Sequence, residues 1–335
     1  MRWNPEAREA PEKALLIQFR RIGDVVLVTP ALDAFRRAWP RTRLHLLTSS
    51  PSPVLFAGDD RVDVLWIRPP RRDLPSLARD LRREGFGAVF DFQSLPLTAA
   101  LARATGATAV GFAKRARRHL YHRTVRVEDH HGSGFAADHK LDLLRAVGLE
   151  PELGPTRLPG PAPSPEAWEP LPPGPRVILV PVSRRPHKRW EPAAFAETAR
   201  VLHRRTGAVF LLAGGPGEGP DLERTAAEMD GVPHRIRVFD RLDALAGALG
   251  AAALFLGNDN GPRHIAMALG VPTLAYFGTQ NPTHWTPPAD PRQVVIWDPA
   301  RRRGRPVRED LRIVPPDPEA AAGAGAHLLD SWAAT

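Results

Sequence analysis

The chain contains no cysteine, and only three methionines and two tyrosines in 335 residues. Without a thiol there is no disulfide, no thiolate nucleophile and no cysteine metal site. Aromatic residues are scarce at 7%. No zinc-finger spacing or RNP-like aromatic strand occurs, so no nucleic-acid module is recognisable and no nucleic-acid partner is expected. Neither a Walker loop nor a Gly-x-Ser-x-Gly elbow is present, which leaves P-loop phosphoryl transfer and serine hydrolysis without support. Long apolar runs are missing too. The longest nearly uncharged stretch, residues 242–257, contains Asp243 and is too short to span a bilayer. Residues 1–13 are charged and proline-interrupted, unlike a secretory signal. A cytoplasmic protein with no membrane-spanning segment is expected.

What is present is a soluble globular composition, 43% hydrophobic and 25% charged, with 37 prolines that imply short, stiff connections. Its length suits two domains with separate cores. The net charge of +9 is unevenly placed. Basic residues cluster at Arg71-Arg72, Arg82-Arg83, Lys114-Arg115-Ala116-Arg117-Arg118-His119 and Arg301-Arg302-Arg303. Such clusters attract phosphates or form a solvated basic surface. Asp129-His130-His131 with Asp138-His139 is the nearest approach to a metal-ligand set; no second cluster completes it, so no metal site is expected.

Apolar strands alternate with amphipathic helices, the pattern of a parallel sheet flanked by helices. Strands are expected over residues 14–19, 44–47, 62–67 and 88–92, with helices over 30–39, 74–84 and 97–105. A further helix over 138–147 is capped by Asp138 and ended by Gly148. Residues 150–175 are rich in proline and glycine with little periodicity and read as a stiff linker. Strands then resume near 177–180, 209–212, 236–239, 253–256 and 272–276, and helices near 192–205, 221–229, 242–249 and 262–269. The expected organisation is a first domain over 1–155, a linker over 156–175 and a second domain over 176–316. A C-terminal helix within 317–335 is expected to pack back on the first domain. The fold class is α/β, with two Rossmann-like domains whose strand ends face a cleft, where ligands of such sheets bind.

Four segments carry chemistry. Arg21-Ile22-Gly23-Asp24 follows the first strand: Gly23 allows a tight turn, and Asp24 is a candidate general base for a hydroxyl or a plain helix cap. Ser183-Arg184-Arg185-Pro186-His187-Lys188-Arg189-Trp190 offers several cations to a diphosphate, with Lys188 as a point charge, or forms a solvated basic loop. Gly214-Gly215-Pro216-Gly217-Glu218 lacks dinucleotide-fingerprint spacing and reads as a turn that a nucleotide approaches, with Glu218 available to ribose hydroxyls. In Gly257-Asn258-Asp259-Asn260-Gly261-Pro262-Arg263-His264, proline suits the first turn of a helix whose amides face an anion; the alternative is Asp259 or Asn260 as an N-cap.

These segments, in this order, resemble glycosyltransferase family 9, the ADP-heptose:lipopolysaccharide heptosyltransferases of the GT-B fold. The resemblance includes Val25-Val26-Leu27 with Thr29-Pro30 after Asp24, and Phe277-Gly278 with Pro282. Asn260 stands where the family usually has serine or threonine, and Arg263 where it commonly has an apolar residue. Thr279-Gln280-Asn281 replaces the usual Pro-Thr-Asp. The resemblance implies inverting, metal-independent transfer of a sugar from a nucleotide diphosphate, ADP-linked, that acts as substrate, with no cofactor. Asp24 matches the general base and Lys188 the residue that neutralises the departing diphosphate. Asp259 would contact the sugar, Asn260, Gly261 and His264 the phosphates, and Glu218 the ribose; Gly23 and Ser183 complete the expected donor-binding set. An anionic lipopolysaccharide core acceptor would meet Arg71, Arg72, Arg115 and Arg118, with the protein peripheral at the inner face of the cytoplasmic membrane. Two other readings stay open: a GT-B transferase using another nucleotide sugar and a different glycan or protein acceptor, and a non-catalytic nucleotide- or glycan-binding member.

Overall fold

The structure, a computed structural model, describes residues 3–4, 9–114, 116–126, 132–301 and 306–332. The chain divides into two units, residues 1–159 and 160–335. Six parallel strands build the first: β1 (Lys13–Ile17), β2 (Arg43–Thr48), β3 (Val64–Ile67), β4 (Ala88–Asp91), β5 (Thr108–Phe112) and β6 (Arg123–Val125). Their order is β3-β2-β1-β4-β5-β6. The chain winds outward from β1 one way and returns to wind outward from β4 the other. The winding therefore reverses between β1 and β4, where a doubly wound sheet opens its ligand crevice. Register sets Ile17 beside Leu47 on one side and Asp91 on the other.

Among the described residues, five α-helices cover this sheet: α1 (Ile22–Val26), α2 (Thr29–Ala38), α3 (Leu74–Arg83), α4 (Pro96–Ala104) and α5 (Ala136–Arg145). Side chains alternate along a strand, so Leu15, Ile17 and Val89 face Leu77 and Leu81 of α3 and Ala99 and Leu101 of α4. On the opposite face Phe35 of α2 meets Phe90 edge-on, with ring centroids 4.8 Å apart.

The second unit repeats the plan with seven strands: β7 (Arg176–Val180), β8 (Val209–Gly214), β9 (His234–Val238), β10 (Leu254–Asn258), β11 (Thr273–Tyr276), β12 (Gln293–Ile296) and β13 (Arg312–Val314). All pairs are parallel, in the order β13-β12-β11-β10-β7-β8-β9, so the winding reverses between β7 and β10. Its helices are α6 (Pro192–Thr206), α7 (Gly219–Ala227), α8 (Leu242–Gly250), α9 (Gly261–Ala268) and α10 (Pro318–Trp332). The two parallel-sheet Rossmann-like units are those of the GT-B fold class expected from the sequence.

Several details differ from expectation. Strands β5, β6, β12 and β13 were not anticipated; β6 and β13 are three-residue strands, Arg-Thr-Val and Arg-Ile-Val, at sheet edges. Asp138 is not the cap of α5 but its third residue, accepting from the Ser133 N–H at 2.8 Å and pairing with Arg145 at 2.9 Å. Residues 160–175, expected as linker, belong to the second unit. There Trp168 is buried and donates to the Ala248 carbonyl at 3.3 Å, and the Ser164 N–H donates to the Gly247 carbonyl at 2.9 Å. A single tryptophan amid prolines supplied the apolar anchor that periodicity could not reveal. The C-terminal helix, expected to return to the first domain, buries Ala321, Ala322, Leu328 and Leu329 in the core of the second unit with Leu202 of α6. Asp129, His130 and His131 lie outside the described residues. Among the described residues no helix is long and apolar enough to cross a membrane.

Candidate active site

In the first unit the site is built at the winding reversal. β1 is apolar through Ile17, and Gln18 begins the loop into α1. Asp24 is the third residue of α1, half-buried, and its Oδ2 accepts from the Arg21 N–H at 3.1 Å. The carboxylate thus serves as a local cap, while among the described residues its other oxygen accepts no hydrogen bond and remains available to a hydroxyl. Gly23 is buried inside α1 and helical, so the tight turn expected there is a turn of helix.

The loop is held from several sides. The Gln93 side-chain oxygen accepts from the Phe19 and Arg20 N–H groups at 2.7 and 3.3 Å. The Ser49 hydroxyl donates to the Phe19 carbonyl, and the Gln18 amide donates to the Arg20 carbonyl at 2.9 Å. Gln93 is itself placed by Asp91, which accepts from the Gln93 and Ser94 N–H groups at 3.1 and 2.8 Å and from the Tyr121 hydroxyl at 2.7 Å. Complete burial pushes the Asp91 carboxyl above its usual range, against the opposing pull of those donors. Gly111 leaves the space for Tyr121, since a Cβ there would lie 2.5 Å from the ring.

The predicted acceptor residues leave the same edge of the sheet, because every strand is parallel. Arg71 and Arg72 lie in a 3₁₀ turn after β3, and Arg118 in one after β5; all three are exposed. Arg115 lies outside the described residues. Arg117 is better anchored than these, donating to the Ser94 carbonyl at 3.1 Å.

In the second unit, the loops leaving β7 and β10 carry most of the predicted donor residues, and the structure brings these together. Lys188 ends a 3₁₀ turn, with its ammonium 2.9 Å from Asp259 Oδ2 and 5.9 Å from the centre of the Trp285 ring. Arg263 lies 3.7 Å and the His264 ring 3.9 Å from the other Asp259 oxygen. One buried carboxylate therefore stands between a lysine, an arginine and an imidazole, leaving a local excess of positive charge suited to an anion. Arg263 is fully buried, and burial lowers its pKa to about 10, opposed by Asp259, so it stays charged at neutral pH. It donates to the Trp285 carbonyl at 2.9 Å and the Thr286 hydroxyl at 3.1 Å, and so holds the loop whose tryptophan faces Lys188.

Asn260 is the N-cap of α9: it accepts from the Arg263 N–H at 3.1 Å and donates to the Val182 carbonyl at 3.0 Å. Gly261 opens α9 beside Asp259, placing the positive end of a helix dipole at the cluster. Asn258 joins the two loops, accepting from the Trp190 N–H at 2.9 Å and donating to the Pro181 carbonyl at 2.6 Å. Ser183 is buried, and its carbonyl accepts from Arg189 at 2.6 Å. Gly278 is a close-approach glycine: a Cβ there would sit 2.1 Å from the His187 carbonyl oxygen, so only glycine lets the loop after β11 press against the Lys188 turn. Glu218 stands apart from this cluster after β8, where its carboxylate accepts from the Gly215 N–H at 2.7 Å across a turn that Gly217 enters at φ +82°.

Gln18, Asp91, Gln93 and Arg263 were not foreseen as site residues. The available signal was a polar residue at the carboxyl end of a buried strand, as in Ile17-Gln18 and Asp91-Phe92-Gln93. A cavity of about 380 Å³ lined by Asp33, Arg36, Arg37, Gly154, Pro155 and Arg157 contains none of the residues above.

Comparison with known proteins bears on the family and the fold. A family model described as glycosyltransferase family 9 (heptosyltransferase) matches residues 74–310. That span holds the whole Lys188–Asp259 cluster. A lipopolysaccharide heptosyltransferase 1 from Pseudomonas aeruginosa is 28% identical over 287 residues, covering 81% of this chain and 79% of that protein. The crystal structure of a family 9 glycosyl transferase from Veillonella parvula superposes with a TM-score of 0.77 at 20% identity, covering 96% of this chain and 97% of that one. An Escherichia coli heptosyltransferase solved with ADP gives a TM-score of 0.70 at 17% identity, covering 95% and 99%.

Proposed function

We propose that this chain, which belongs to glycosyltransferase family 9, moves a heptose from an ADP-linked donor to an anionic lipopolysaccharide core acceptor, with inversion and without a metal. The observation that carries the donor half is the Lys188, Arg263 and His264 cluster around Asp259 at the reversal point of the second sheet. It offers an excess of positive charge to a diphosphate, and a related heptosyltransferase of the same fold has been solved with ADP. The acceptor half rests on Asp24, whose second carboxylate oxygen is uncommitted at the reversal point of the first sheet.

In this reading Asp24 takes the proton of the acceptor hydroxyl as its oxygen attacks the anomeric carbon. The bond from that carbon to the diphosphate breaks, and its electron pair leaves with ADP, whose charge Lys188 balances. A single displacement inverts the anomeric centre. Asp259 contacts the sugar, Asn260, Gly261 and His264 the phosphates, and Glu218 the ribose. Exposed Arg71, Arg72 and Arg118 suit an acceptor rich in phosphate at a membrane surface, where salt would weaken the contact.

Thermal unfolding against a panel of nucleotide sugars tests the donor. ADP-heptose is expected to stabilise the protein by roughly 2.7 kcal/mol at about 100 times its Kd, with GDP- and UDP-sugars giving little. Stronger stabilisation by a GDP- or UDP-sugar would replace ADP-heptose as donor.

A further inference from the structure

We propose that Lys140 is a positioning residue for Asp24, acting through Gln18 and the Arg20–Arg21 peptide. This rests on the reading of Asp24 as the base. Lys140 lies in α5 with only 6% of its surface exposed. Its ammonium makes no ion pair with a carboxylate among the described residues; it donates to Gln18 Oε1 at 2.8 Å and lies 5.8 Å from the centre of the Phe92 ring. Gln18 passes the polarisation on, since its Nε2 donates to the Arg20 carbonyl at 2.9 Å. The N–H of that same peptide, on Arg21, donates to Asp24 Oδ2 at 3.1 Å.

The three bonds run in one direction, from a charged donor to a charged acceptor. Each donor is strengthened by the one before it, and a cation at the head strengthens the whole chain. The result fixes one Asp24 oxygen on the backbone and leaves the other for the substrate. A buried ammonium without a carboxylate partner is a costly way to fill space. Its burial lowers the Lys140 pKa to about 8, while the charges of Asp24 on α1 and Asp91 at the end of β4 act to raise it. A methionine would pack there at less cost. That charge is joined to the base by three successive hydrogen bonds.

The test is a double-variant cycle on the full chain, measured as ADP released from ADP-heptose in the presence of a truncated lipopolysaccharide core. Lys140→Met and Gln18→Met are each expected to lower kcat about tenfold or more, as misplacement of a reacting group does. The donor KM should stay unchanged. The double variant should lose no more than the worse single one, because both cut the same chain. In the unaltered protein kcat should fall as pH rises through about 8, where Lys140 gives up its proton, and this limb should vanish in Lys140→Met. Stability should move the other way. The unfolded chain holds the Lys140 proton to higher pH than the folded one, so this group makes folding more favourable as pH rises from about 8 toward the ordinary lysine range. Lys140→Met should therefore unfold no earlier than the parent at neutral pH. A kcat within twofold of the parent, additive losses in the double variant, or a loss matched by a lower unfolding temperature would each overturn the proposal. If Asp24→Asn is inactive and Lys140→Met is not, this inference alone fails; if Asp24→Asn is active, the reading of the base fails.

Discussion

Asp24→Asn is expected to lower the rate of sugar transfer by about 10²–10⁴-fold, the range over which a general base contributes. That corresponds to roughly 3–5 kcal/mol of transition-state stabilisation. The substitution separates the two jobs this carboxylate performs. The amide oxygen of asparagine can still accept the Arg21 N–H that Asp24 Oδ2 now accepts, so α1 keeps its local bond. What asparagine cannot do is take a proton from the acceptor hydroxyl. Donor affinity and unfolding temperature are therefore expected to match the parent, with the whole loss in kcat. Asp24→Ala should show the same loss of turnover together with about 1 kcal/mol of lost stability, the usual cost of removing a cap. Near-full turnover by Asp24→Asn would leave the residue as a cap only.

Lys188→Met is expected to cost about 10²–10³-fold in kcat, the effect of removing one preorganised group from a developing anion. Here the donor KM should rise as well, because the ammonium attracts the diphosphate before the bond breaks. The structure adds a second consequence. Asp259 is buried and draws on Lys188 at 2.9 Å, against 3.7 Å to Arg263 and 3.9 Å to His264. Without Lys188 its carboxylate keeps only the longer contacts, and the local excess of positive charge falls. Lys188→Arg should recover part of kcat, since the charge returns but the planar fork does not reproduce a point charge on a flexible stem. Steady-state kinetics with ADP-heptose varied separates the two contributions. A loss smaller than about tenfold in Lys188→Met would contradict the leaving-group role.

Much of the architecture was readable where the chain is apolar and periodic. The strands around Leu15, Val89, Ile178 and Leu256 are buried on both faces, and buried parallel strands read as plain hydrophobic runs. One edge of each sheet was not readable, because β6 and β13 are three residues long and each begins with arginine, whereas the opposite edges, β3 and β9, were anticipated. On the donor side, the order Gly-Asn-Asp-Asn-Gly-Pro marked a strand-to-helix turn that the structure contains as β10 and α9. Arg263 was visible only as a departure from the family pattern. Its burial and its bonds to Trp285 and Thr286 depend on a loop more than twenty residues further along the chain, which no local pattern encodes. Lys140 was hidden for a related reason. Leu141, Leu144 and Val147 mark one apolar stripe, and a lysine beside it looks solvated. Yet α5 also buries Ala136, Ala137 and Leu143, so nearly the whole helix is enclosed and its lysine with it. Gln18 reads as the polar end of a strand, and nothing in its neighbours indicates that a residue 122 positions away donates to it.

The most direct measurement is transfer itself. ADP-heptose is incubated with a truncated lipopolysaccharide core in the presence of EDTA, and the acceptor is examined by mass spectrometry and NMR. The expected result is one added heptose with anomeric configuration opposite to that in the donor, one ADP released per sugar transferred, and a rate unchanged by the chelator. Retention of the donor configuration, abolition of transfer by EDTA, or consumption of a different nucleotide sugar while ADP-heptose stays intact would contradict the proposed reaction.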